Sequence, residues 1–382
     1  MSDVVERQLT GALGNENRLK LGTFSTNCEG GGAITALPGT LRARWDEVSR
    51  VARTADRMGM ELFVPVSRWK GLGGRTNFNN ASFDTFAWAA GLAAVTEQAF
   101  IFSTCHVPTI HPIVAAKQLM TIDHISGGRA GLNVVGGWFR PELEMFGRPM
   151  LEHDKRYEMA DEWTHILREL YTNEQEFDFS GEFFQIKGGV AEPKPLQKPY
   201  PPIMNAGGST RGMQYAAQYA DMAYIMVKED DKEAAAAQVN AFKQLAREQF
   251  NRTMQVWTYG FVVCRDTEKE AQEFLTYYTE ALGDFEAADN LMHYLGMESG
   301  VLGAGAYEHY RSRFMAGWGG LPLVGTPEQI VERLQMVSDV GCEGCLLLWP
   351  QWDEGLAQWD SKVMPLLEQA GLRKPYTAPT AG

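Results

Sequence analysis

The sequence predicts a closed (β/α)8 barrel, an α/β fold of the TIM type carrying insertions. Three observations predict it. Eight short apolar segments recur along the 382 residues, each followed by an amphipathic helical stretch, as parallel strands joined by helical crossovers require. Eight such repeats suit a sheet that closes on itself. No GxGxxG follows the first apolar segment and no GxxxxGK[ST] occurs in the chain, so the open nucleotide-binding sheets are not signalled.

The elements follow in order. After a polar lead, residues 19–25 (LKLGTFS) read as the first strand, then a Gly-rich loop, CEGGGAITALPG, and a helix over 41–58 closed by Gly59. The second strand is 61–67, with the loop RWKGLGGRTNFNN and a helix over 82–97. The third is 99–107, followed by a helix over 111–126 with Pro112 suited to its first turn. The fourth strand, 129–135, leads to a helix over 155–171 and a hairpin-like insertion, 177–186. Strands five to seven fall at 201–207, 222–227 and 256–264, with helices at 209–219 and from about Thr267. A Gly- and Tyr-rich stretch over 283–322 breaks the rhythm and reads as a loop over the pocket or a plain insertion. A helix over 326–340, the eighth strand at 344–349 and a last helix over 355–371 complete the repeat. The expected organisation is an extension over 1–18, one barrel domain over 19–372 with insertions near 172–200 and 283–322, and a flexible tail over 373–382.

Composition narrows the function classes. Lys and Arg total 35 against 48 Asp and Glu, a net charge of −13, which disfavours nucleic-acid and anionic-lipid partners. The lead has no signal-like apolar core and no stretch is long enough to span a bilayer, so a cytoplasmic protein is expected. Five scattered cysteines do not suggest a disulfide framework, and Cys342–Cys345, formally CxxC, opens into the apolar run CLLLW and reads as buried thiols. Thirty-nine glycines point to tight turns or close backbone approach to a ligand.

Barrel active sites lie at the carboxyl ends of the strands, where CEGGG, RWKGLGGRTNF, CHVPTIH, VVGGWFRPE and AGGSTRG are placed. No paired histidines mark a metal site, no GxSxG a serine nucleophile, and Lys228, after the sixth strand, reads as a surface lysine. AGGSTRG stands between a strand and a helix, so Gly207, Gly208 and Ser209 present backbone amides as phosphate sites do, with Arg211 in reach; a capped tight turn is the alternative. HDKRYE puts Arg156 and Tyr157 at a helix start, for phosphate pairing or for capping. Asn133 and Glu142 bracket the strand end at VVGGWFRPE, and an amide there can donate to and accept from a planar heterocycle.

The runs TIDHISGGRAGLNVVGGWFRPELEMFG, LEHDKRYE, AGGS and LVGTPEQIVERLQMVSDVGCEGCLLLW resemble the bacterial-luciferase-like flavin-dependent monooxygenases over about residues 19–371. KGLGGRTNF followed by AAGLAAVT resembles the pyrimidine ring-opening branch, while LEHDKRYE and GGWFRPE are also similar to the dimethylsulfone and alkanesulfonate branches. The resemblance implies a two-component enzyme that takes reduced FMN from a separate NAD(P)H-dependent flavin reductase and transfers one atom of O2 to a small molecule. It implies that Ser67 and Arg68 touch the flavin, that Asn133 and Glu142 meet its ring or ribityl side, and that Arg156, Tyr157 and Ser209 hold its phosphate end. It places Val64, Thr104 and Asn133 around oxygen. Val64 departs from the leucine of the pyrimidine branch, and Ser67–Arg68 from its Ile-Lys pair. Trp69, His106, Trp138 and Trp352 are the pocket candidates, each equally suited to core packing. The leading expectation is oxygen insertion that cleaves a carbon–heteroatom bond of an N-heterocycle or amide. The alternatives are C–S cleavage of a sulfone or sulfonate, hydride transfer with a deazaflavin, and a non-catalytic flavin-binding role. Relatives of this kind often pair through their second and third units, so a dimer or tetramer is expected.

Overall fold

A computed structural model describes residues 9–227, 231–297 and 303–377. In chain order its elements are β1 (Lys20–Phe24), α1 (Trp45–Arg57), β2 (Leu62–Val64), α2 (Thr85–Ala93), β3 (Phe100–His106), α3 (Pro112–Ser126), β4 (Ala130–Val135), α4 (Arg140–Met145) and α5 (His153–Thr172). The small hairpin β5 (Phe177–Ser180) and β6 (Gln185–Gly189) precedes β7 (Ile203–Asn205), α6 (Thr210–Tyr219), β8 (Met222–Tyr224) and α7 (Lys232–Phe250). The last part holds β9 (Gln255–Cys264), α8 (Glu268–Thr276), α9 (Phe285–Tyr294), α10 (Ala304–Gly317), β10 (Leu321–Gly325), α11 (Pro327–Asp339), β11 (Gly344–Leu348), α12 (Trp352–Gln358) and α13 (Met364–Gln369).

Strands β1, β2, β3, β4, β7, β8, β9 and β11 pair in parallel around a closed ring, β8 meeting β9 to complete it. These are the eight strands the sequence predicts. Their interior is filled by Leu62, Val64, Phe100, Phe102, Met204, Met222, Trp257 and Leu346. The N-terminal extension joins that core: Ala12 and Leu13, on a short 3-10 turn, pack into it. The outer core lies between sheet and helices and includes Trp88, Trp163 and Trp359, so the helices bury their apolar faces against the strands.

Three features depart from the expected pattern. The stretch 283–322 is not a loop: in its described part α9 and α10 form a helical pair, packed through Leu291, Met292, Phe314 and Met315 in a second apolar core above the strand ends. The stretch ends in a ninth strand, β10, which pairs with β9 from Gly260 to Cys264 where β8 has run out. Its helical character is hidden because α10 lacks an apolar stripe, being rich in Gly, Tyr and Arg. The segment read as a flexible tail is anchored as far as it is described. Arg373 is buried and donates to Leu19 O, Gly59 O and Glu61, while residues 378–382 lie outside the described residues. Lys228 also lies outside them. All five cysteines are buried free thiols, and no described helix is long and apolar enough to cross a membrane.

Candidate active site at the carboxyl ends of the strands

Register brings the first group together. Phe24 pairs with Val64 across β1 and β2, and Thr104 with Asn133 across β3 and β4. Val64 is fully buried in the barrel interior. The Thr104 hydroxyl donates to Pro65 O at 2.6 Å and accepts from Asn133 Nδ2 at 3.3 Å. With its hydrogen committed to Pro65, Thr104 orients the Asn133 amide and is not itself a free donor. Asn133 Oδ1 is left buried without a partner among the described residues, an arrangement that costs free energy unless a ligand donor meets it.

A second group forms where the loops after β2 and β4 meet. The Arg68 and Glu142 side chains are almost completely buried, with Arg68 Nη1 3.4 Å from Glu142 Oε2. Glu142 Oε1 accepts the backbone N–H groups of Trp69 and Lys70 at 2.7 and 3.2 Å. The Arg68 guanidinium carbon lies 4.4 Å from the centre of the Trp138 ring, 5.5 Å from that of Trp318 and 5.7 Å from that of Phe139, distances at which cations are attracted to ring faces. Arg68 Nε has no partner. His106 is buried 3.8 Å from Glu142. Burial, and then the Arg68 charge, pushes its pKa down to about 3, so its ring is neutral at pH 7. Ser67 is buried and its carbonyl accepts from Arg68.

The third group is a cradle at the start of α6. Ser209 caps this helix by accepting from Gly212 N at 3.0 Å, and the first-turn amides have no acceptor within the helix. Asn205 holds the turn, accepting from Gly207 N at 2.9 Å and donating to Val134 O at 2.7 Å. A Cβ on Gly207 would sit 2.7 Å from the Tyr157 hydroxyl and 2.8 Å from the Gly212 backbone, so only glycine fits there. A Cβ at Gly208 would meet nothing within 4 Å, which leaves open space above the amides. Arg156 donates to Gly137 O and keeps a buried Nε without a partner. Arg211 pairs with Asp161, and its guanidinium carbon lies 5.6 Å from the centre of the Tyr157 ring.

Each sequence-predicted residue thus has a place. Tyr157, Gly207, Gly208 and Ser209 lie at the helix start, while Arg156 reaches Gly137 O in the loop after β4; Val64, Thr104 and Asn133 meet at the barrel mouth; Ser67, Arg68, Glu142, His106 and Trp138 form the cluster between the loops. Trp69 contributes its N–H to Glu142 while its exposed ring packs on Phe146. Trp352 sits in the outer core, its ring 5.3 Å from that of Trp349. Sequence reasoning missed Phe24, Tyr224, Tyr259 and Trp318, whose rings cluster beside Val64 and Arg68. The signal was available for Phe24 and Tyr224, the last residues of their strands.

Residues 19–344 match the family described as luciferase-like monooxygenase. The chain belongs to that family. It is 30% identical over 358 residues to the pyrimidine monooxygenase RutA of Acinetobacter baylyi, covering 91% of this chain and 95% of that one. It is 29% identical to the FMNH(2)-dependent dimethylsulfone monooxygenase of Pseudomonas putida, covering 92% of this chain and 96% of the relative. Among solved structures, riboflavin lyase RcaE with modified FMN and riboflavin superposes with a TM-score of 0.82 at 21% identity, covering 95% and 94% of the two chains. That likeness speaks to the fold. The family expected from the sequence motifs, its barrel and its enzyme class therefore hold.

Proposed function

We propose that this luciferase-like enzyme uses reduced FMN and O2 to insert one oxygen atom into a small molecule and cleave a carbon–heteroatom bond, with an N-heterocycle or amide as substrate. The observation that carries the reading is the Asn133–Thr104 pair, which holds an unpaired amide oxygen at the barrel mouth, with an anion cradle in the neighbouring β7–α6 turn.

The residues present fit FMN. The glycine turn, first-turn amides, Tyr157, Ser209 and Arg156 suit a phosphate. Asn133 Oδ1, buried and unpaired among the described residues, offers an acceptor to the polar edge of a planar ring. Ser67 and Glu142 line the same cluster. When bound, reduced FMN supplies the electrons that activate O2. The chain's own residues position and enclose. Thr104 fixes the rotamer of Asn133, and the second N–H of that amide is the donor available to negative charge developing on oxygen. Val64 and the rings around it keep water from this space. His106, neutral at pH 7, adds no positive charge. In this reading a separate NAD(P)H-dependent flavin reductase delivers the reduced cofactor.

The test is incubation of the protein with reduced FMN, 18O2 and a panel of uracil-like heterocycles, amides, sulfones and sulfonates. Product from a heterocycle or amide carrying one labelled oxygen is expected. Labelled product only from sulfur compounds would replace the substrate assignment, and turnover only with a reduced deazaflavin would overturn the oxygenase reading.

A further inference from the structure

At the mouth of the barrel, Phe24, Tyr224, Tyr259 and Trp318 form a connected cluster of rings. The Phe24 ring centre lies 5.4 Å from that of Tyr224, 5.9 Å from Tyr259 and 6.3 Å from Trp318, and Tyr224 and Tyr259 are 4.9 Å apart. Phe24 and Tyr259 are half-buried although they stand on barrel strands, so they line an opening. Trp318 ends α10 with φ 55°, a left-handed conformation that costs a non-glycine residue energy. It is held there by its N–H to Phe314 O at 3.2 Å and by the Tyr259 hydroxyl, which donates to Trp318 O at 3.0 Å. The strained turn thus carries the indole to Phe24 and Arg68.

Three hydrogen-bond donors in this cluster are buried and unpartnered: Tyr224 Oη, Trp318 Nε1 and Arg68 Nε. An apolar wall with several unmet donors and no unmet charge is matched by a compact molecule bearing acceptor oxygens. The charge inventory is balanced. Glu142 pairs with Arg68, and Arg313, near Tyr259, is engaged by Gly320 O. Burial keeps the Tyr224 and Tyr259 hydroxyls protonated, so they stay donors and add no charge, and His106 is neutral.

We propose that this four-ring box, with Arg68 in its wall, is the substrate subsite and that it selects an uncharged molecule carrying carbonyl or sulfonyl oxygens over an anion such as a sulfonate. This rests on the monooxygenase reading above and adds to it a selection by charge. An anion entering the box would be desolvated opposite a cation whose charge Glu142 already meets.

The full chain loaded with oxidised FMN is titrated calorimetrically with uracil, dimethylsulfone and methanesulfonate, after a separate titration of FMN itself. At least one uncharged probe is expected to bind, with methanesulfonate at least about tenfold weaker. Trp318→Phe and Tyr224→Phe keep the rings and remove the donors; each is expected to weaken the uncharged probe about tenfold, the effect of one lost buried hydrogen bond, with FMN affinity unchanged. Equal affinity for methanesulfonate, no binding of either uncharged probe, or unchanged affinity in both variants would overturn the proposal. Failure to bind FMN would instead overturn the functional reading, and the same probe titrations on flavin-free protein would still judge the box.

Discussion

Two buried arginine–glutamate pairs stand at opposite ends of this barrel. At the amino-terminal end, Arg373 and Glu61 are 2.8 Å apart, and Glu61 also accepts from Asn15, Asn17 and the Leu21 N–H. At the carboxyl end, Arg68 and Glu142 are 3.4 Å apart, and Glu142 Oε2 has no closer donor. Each arginine leaves its Nε unpaired, so the difference lies in how fully the carboxylate is met. One pair is a closed clamp that ties the C-terminal segment to the barrel floor. The other is held loosely among aromatic rings, with capacity left for a ligand. The same residue types thus do structural work at one face and site work at the other, and what separates them is hydrogen-bond saturation.

That distinction can be broken by paired substitutions. Glu61→Gln is expected to lower stability by about 3 to 5 kcal/mol, because it leaves the Arg373 charge buried and uncompensated, with little change in turnover per folded molecule. Glu142→Gln also leaves a buried arginine, Arg68, without its carboxylate and is expected to lower stability by a comparable amount, about 3 to 5 kcal/mol, yet, unlike Glu61→Gln, to reduce kcat/KM at least about tenfold. Urea denaturation with a constant m-value, read beside steady-state kinetics, checks both. Activity per folded molecule intact in both variants would erase the contrast.

Within the carboxyl face the comparison sharpens further. Asn133→Ala removes the unpaired amide, and turnover is expected to fall about a hundredfold, as when one oriented donor is lost, while FMN still binds. Thr104→Val should act in the same direction through Asn133's lost orientation. Arg156→Ala is expected to weaken FMN by about tenfold, the value of a charge-assisted contact, with turnover recovering at saturating flavin. Fluorescence titration of FMN and 18O incorporation separate the two outcomes. Loss of flavin affinity in Asn133→Ala, with no loss in Arg156→Ala, would reverse the assignment of the two ends.

Much of this architecture was legible from the residues. All eight barrel strands were, because each is a short, largely apolar run followed by a helical stretch, and the cradle was, because Gly-Gly-Ser between a strand and a helix suits a tight, amide-presenting turn. The α9–α10 pair was not, since α10 lacks a regular apolar stripe, although α9 buries Ala287, Ala288, Leu291 and Met292 along one face. The ring cluster was missed for a related reason. Tyr224 and Tyr259 lie on the consecutive strands β8 and β9, where no spacing motif links them, and Trp318 reaches them through a left-handed turn after α10. Nor does sequence tell saturated from unsaturated pairs: Arg68 and Arg373 look alike until their acceptors are counted.

The remaining contrast is in pH dependence, and it probes the carboxyl face alone. His106 has an ordinary value of 6.5 and is pushed down to about 3 by burial first and the Arg68 charge second. The folded state therefore resists its protonation while the unfolded chain accepts a proton below 6.5. As pH falls from about 6.5 toward about 3, the unfolded state binds the extra proton and stability declines. The contribution of this one group has a slope of at most about 1.4 kcal/mol per pH unit. Stability is fully present above pH 6.5, where the ring is neutral in both states. His106→Gln should remove that part of the slope, read as the difference between wild-type and variant denaturation midpoints at several pH values. The clamp at the other face contains no histidine, so Glu61→Gln should leave the His106 contribution in place. A wild-type slope unchanged by His106→Gln would show that the ring is not held neutral among Arg68 and Glu142.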